Sequence, residues 1–165
     1  MSSTTRLHLP FLSAGQAQKE FSHNEALQAL DFLVAGAVEE GPRNDPPTAP
    51  VHGDCYIVSD APTGAWAGKP QAVAGYTAGG WRLFAPTEGM ILYVKSSGVW
   101  ANYCAGAWVL GELRGSRLVI DGDQVVGEQA AAIASPAGGA TIDGEARTTI
   151  DLMLDALRHH GLIAP

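Results

Sequence analysis

The sequence predicts an α+β protein: an N-terminal capped helix, then a small antiparallel β-sheet domain of sandwich- or barrel-like form, then a C-terminal hairpin and amphipathic helix. Three observations carry this. Apolar residues recur at helical spacing near both ends, at Ala26, Leu27, Leu30, Leu33 and Val34 and again at Ile150, Met153, Leu154 and Leu157. Between them, short aromatic and β-branched runs are broken by Gly pairs and turn residues, the mark of hairpin-linked strands. Asp121-Gly122 sits between two further apolar runs, a strong hairpin signal.

The 165 residues suit one domain with a small appendage. The change of character near residue 113 sets the expected division: 1–112, with helix 13–38 and sheet 54–110, and 113–165, an attachment or oligomerisation module. Residues 1–12 read as an extended edge strand, because Leu7, Leu9 and Phe11 alternate with Arg6, His8 and Pro10. Ser13-x-x-Gln16 and Ser22-x-x-Glu25 both match the capping box, in which a hydroxyl accepts from a backbone N–H three residues on. They open a helical turn at 14–20 and a longer helix at 23–38, closed by Gly36 or Gly41. GPRNDPPTAPVHGD is a loop, and strands are expected at 54–59, 71–76, 80–84, 91–95, 98–103 and 106–110. SRLVIDGDQVVGEQ follows as a hairpin. Thr141 or Asp143 caps the last helix, acids sit at its start, Arg158, His159 and His160 at its end, and Gly161 stops it. Alone such a helix is marginal, so it must dock.

The net charge of −7 and the scattered Lys and Arg argue against a nucleic-acid partner. No run approaches the ~20 apolar residues of a membrane span, and no signal-peptide pattern opens the chain, so synthesis in the cytoplasm is expected. Charged residues are 16 %, below the usual ~25 %, which suggests a surface partly covered by partners. Cys55 and Cys104 lack CxxC spacing and read as reduced strand residues. The five histidines, at 8, 23, 52, 159 and 160, show no ligand spacing, and DGDQVVGE lacks the length of a calcium loop. Phosphate cradles and a G-x-S-x-G nucleophile are absent. Asp54, Asp60, Glu88 and Glu112 are loose carboxylates, none singled out. No cofactor, metal or catalytic residue is therefore expected, and the chain reads as a non-enzyme.

Two clusters remain. Ser13, Gln16, Ser22, His23, Asn24 and Glu25 serve as helix caps and a docking surface. Trp66, Tyr76 and Trp81 are the first choices for a glycan platform, since exposed indole and phenol rings stack on pyranoses; the other reading puts them in the core. Ile150, Met153, Leu154 and Leu157 form the expected interface of the last helix.

In order along residues 7–110 stand GQAQKE, HNEAL, PPTAPVHGDCYIV, GAWAG and GGW. In these motifs the chain resembles the DUF2793 family, a domain of unknown function, and its tail is similar to a C-terminal module common in prophages. The resemblance implies a virion structural protein of a phage-like particle or gene transfer agent, assembled in the cytoplasm: a head spike or tail fibre base or adaptor near the host-contact surface. It implies a homo-oligomer, trimer or pentamer, joined to capsid, tail or fibre proteins and linking the particle to a receptor-binding fibre. It carries over no catalytic residue. The alternative expectation is a carbohydrate-binding module for host surface polysaccharide.

Overall fold

A computed structural model of the chain describes residues 2–13, 15 and 19–165. The chain divides into two compact units, Met1–Glu112 and Leu113–Pro165, and the class is α+β.

In the first unit, helix α1 (Lys19–Leu33) precedes β1 (Ala37–Val38), β2 (Glu40–Arg43) and β3 (Cys55–Val58). A single 3-10 turn at Gly64–Trp66 leads to β4 (Val73–Thr77), β5 (Gly80–Phe84), β6 (Ile91–Val94), β7 (Val99–Cys104) and β8 (Ala107–Leu110). They make two four-stranded sheets, ordered β1-β6-β7-β8 and β2-β3-β4-β5, and neither closes into a barrel. The six strands read from alternation are present within a residue or two, and their hairpins pair antiparallel. Strands β1 and β2 were not foreseen. Each adds a parallel edge, β1 to β6 and β2 to β3, so both sheets are mixed.

Alternation decides the core. In β6, Leu92 and Val94 are buried while Ile91 and Tyr93 are exposed. Side chains from both sheets, among them Val38, Ile57, Val73, Leu92, Val94, Ala101 and Trp108, gather in one apolar cluster with Phe32 of α1. Gly75 in β4 makes room for that ring: a Cβ there would stand 2.5 Å from Phe32 Cδ2. The Gly75→Ala variant should therefore lose about 2 kcal/mol of stability, the ordinary cost of overpacking, read by urea unfolding followed through indole fluorescence.

Three expectations need correction. The edge strand expected over 1–12 is not formed by the described residues 2–12. These fold back on themselves, with a bridge from Ser3 to Pro10 and a 2.9 Å bond from Thr4 N–H to the Leu9 carbonyl, because α1 offers them better partners. The helix does not reach 38: α1 ends at Leu33, Gly36 takes φ +55°, and Ala37 joins a sheet. Ser22 does not start a helix either, since it lies inside α1. The box at Ser13 involves Gln16, which lies outside the described residues.

In the second unit, β9 (Leu118–Ile120) and β10 (Asp123–Val126) form an antiparallel hairpin. Its turn residues Asp121 and Gly122 have φ 52° and 91°, as a primed turn requires. Helix α2 (Gly144–His159) is capped by Asp143, whose Oδ1 accepts from Ala146 N–H at 2.9 Å. His160 is the C-cap and Gly161, at φ 70°, turns the chain away. The chain before α2 is held along it: Ala130 bridges Ile163, and Arg158 Nη2 donates to the Ile133 carbonyl at 2.7 Å.

Candidate binding surfaces

The polar cluster on α1 is a clamp for the N-terminal strap. Asp31 is buried, and its two carboxylate oxygens accept from Arg6 N–H at 3.0 Å and Leu7 N–H at 2.6 Å. The Arg6 guanidinium reaches the Ala37 carbonyl at 2.6 Å and stands 6.0 Å from the Phe32 ring centre. Asn24 holds both backbone groups of Leu12, accepting at 2.9 Å and donating at 3.1 Å. Glu25 is not a capping partner of Ser22. It reaches across to Arg82 of β5 in a two-pronged ion pair, with Nε–Oε2 at 3.0 Å and Nη2–Oε1 at 3.0 Å. Of the predicted docking residues, Asn24 and Glu25 thus fasten the helix to its own unit, while Ser13, Ser22 and His23 are exposed.

The aromatic trio separates. Trp66 has no exposed surface. It lies under β3–β5 with Tyr56 at 5.9 Å and Trp81 at 5.0 Å between ring centres, the latter edge to face. In this position Trp66 is a core residue and offers no ring to a sugar. Trp81 and Tyr76, 4.8 Å apart, are half-buried on the same face, and His52 adds a ring 5.7 Å from Tyr76. Tyr56 donates its hydroxyl to Asp54 at 3.2 Å; burial first, and the Asp54 charge second, push the phenol up to about 12.

The open aromatic surface lies on the other sheet. Tyr93 and Trp100 face each other across β6 and β7, ring centres 5.3 Å apart, with 36 % and 48 % of their surfaces exposed. Sequence reading missed them because every indole lies in a strand-rich stretch. The signal was parity: Tyr93 alternates with the aliphatic Leu92 and Val94, and Trp100 sits between Val99 and Ala101, so both turn outward.

In the second unit, β9 and β10 expose every residue. Leu118, Val119, Ile120, Val125 and Val126 are all open, on both faces of a two-stranded sheet. On α2 the predicted interface divides: Leu154 is buried, Leu157 is half-buried, and Ile150 and Met153 are exposed.

Three of the loose carboxylates are engaged by groups within the first unit. Asp54 accepts from Val51 N–H at 2.8 Å, Asp60 pairs with Gln71, and Glu88 accepts from Ala105 N–H at 3.1 Å. Both cysteines are free, and burial holds the Cys55 thiol up at about 12, so it stays protonated. Among the described residues no group of three His, Cys, Asp or Glu could hold a metal ion, and no helix is long and apolar enough to cross a membrane.

These features define a two-unit α+β protein that presents aromatic side chains on one unit and aliphatic ones on the other. A family model described as "Protein of unknown function (DUF2793)" matches residues 23–109, more than half of the chain, and the chain belongs to that family. The matched stretch runs from within α1 to β8 and so takes in both sheets. No curated protein matches the chain.

Proposed function

We propose that this protein is a structural component of a phage-like particle, a base or adaptor of a head spike or tail fibre, which assembles with copies of itself through residues 113–165 and holds a receptor-binding fibre. The observation that carries the reading is the hairpin. Two strands alone are marginal in water, and this pair leaves five aliphatic side chains exposed on both faces. Added strands or helices from other subunits would cover them. The open Ile150 and Met153 of α2 support the same role. The likeness of the tail to a prophage module supplies the particle context.

Light scattering of the purified full chain should give the mass of three or five subunits. The double variant Leu118→Asp, Ile150→Asp should shift it to one subunit while indole fluorescence stays unchanged, since all four tryptophans lie in residues 1–112. A wild-type monomer that captures no capsid, tail or fibre protein would refute the reading.

A further inference from the structure

We propose that the outer face of the β1-β6-β7-β8 sheet is a binding ledge for an uncharged pyranose chain, centred on Tyr93 and Trp100. This goes beyond the assembly role and does not rest on it. The two rings occupy one rung of the sheet. On one side of that rung Ala37 pairs with Tyr93, and on the other Gly111 donates to the Trp100 carbonyl at 2.8 Å. A methyl group and a hydrogen flank the aromatic pair, so the rings stand above their neighbours; they meet edge to face, and each keeps about a third to a half of its surface open. Pyranose rings offer axial C–H groups to such faces.

The adjoining positions supply hydrogen-bonding groups at sugar spacing. Two residues along a strand is about 7 Å. At that distance one way lie Asn102 and Ile91, which face each other across β7 and β6. The other way lies Lys95, whose Nζ is 2.6 Å from Glu39 Oε1. The Asn102 amide is held in place by a 2.6 Å bond to the Glu112 carbonyl. A fixed amide and a closed ion pair can donate to and accept from hydroxyls on either side of a stacked ring.

Size and charge choose the occupant. Ile91, Tyr93 and Trp100 leave on the order of 300 Å² open, well under the ~800 Å² each partner contributes to a standard protein interface, and enough for two or three sugar rings. Bases of a single-stranded nucleic acid also stack on such rings, but a chain of net charge −7 whose nearby lysine is already paired repels a phosphate backbone. The same repulsion disfavours acidic polysaccharides.

Native gels cast with dextran, mannan, galactan or hydroxyethyl cellulose test the ledge on the full chain. At least one polymer should retard the protein. Trp100→Ala should weaken that retention tenfold or more and Tyr93→Ala several-fold, with circular dichroism unchanged. Trp100→Phe should keep part of it, and Tyr76→Ala, on the other sheet, should keep all of it. No retardation by any of the four polymers overturns the proposal. So does retardation that survives Trp100→Ala, or that Tyr76→Ala removes. A Trp100-dependent change of subunit mass without retardation also overturns it, by making the face a protein contact. The mass measurement proposed for residues 113–165 can fail or succeed independently of all these outcomes.

Discussion

Replacing Trp66 by alanine should destabilise residues 1–112 by about 4 kcal/mol, the largest effect expected of any single truncation in this protein. The ring is wholly buried and is the largest side chain in its cluster, which otherwise consists of Tyr56, Val58, Ala72 and Ala74 with Trp81 and Leu83 against it. Small alanines line one side, so nothing nearby can collapse into the space. The position itself is rigid: Trp66 N–H donates to Thr63 at 3.1 Å, and Thr63 N–H in turn donates to Asn44 at 2.8 Å. Trp66→Phe should recover more than half of the loss. The indole N–H has no hydrogen-bond acceptor among the described residues, so a phenyl ring gives up volume but no hydrogen bond. Urea unfolding monitored by far-UV circular dichroism separates the two variants. An alanine variant within 1 kcal/mol of the parent would place Trp66 elsewhere than in the core.

The second large effect belongs to Asp31. Its side chain has no exposed surface and accepts two charge-assisted bonds from the strap, each worth roughly 1.5–3 kcal/mol when a buried partner is left behind. Asp31→Ala should cost about 3 kcal/mol and free residues 2–12, so that trypsin cuts after Arg6 at least tenfold faster. Asp31→Asn should recover less than half, because its amide presents a donor where Arg6 and Leu7 also donate. Cleavage at the parental rate in the alanine variant would mean that the strap is held without the carboxylate.

The sheet was legible wherever the chain turns back on its neighbour. β4–β5, β6–β7 and β7–β8 follow from alternation and turn residues, and Asp121-Gly122 marked its hairpin directly. Strands β1 and β2 were hidden for a physical reason. Their partners, Tyr93–Val94 and Tyr56–Val58, lie far along the chain, and EGPR carries no β-branched residue. The helix was over-extended because Val34 keeps the apolar period, while Gly36 ends it. At the N-terminus, alternation imitated a strand whose backbone partners are in fact side chains of α1. Asn24 grips the backbone of Leu12, and the Glu25–Arg82 pair spans 57 positions; no local pattern announces either contact. The aromatic residues defeated local reading most fully. Ring content does not say which indole a 3-10 turn will bury, whereas strand parity does say that Trp100 points away from the core.

The run from Ala37 to Arg43 has a mechanical consequence. Its first half pairs with β6 in one layer and its second half with β3 in the other. Between them, Glu39 donates its N–H to Cys55 at 2.7 Å and accepts from Ser96 N–H at 3.0 Å. One stretch of backbone is therefore a rivet through both layers: the two sheets cannot part without breaking bonds that this single run makes to each of them.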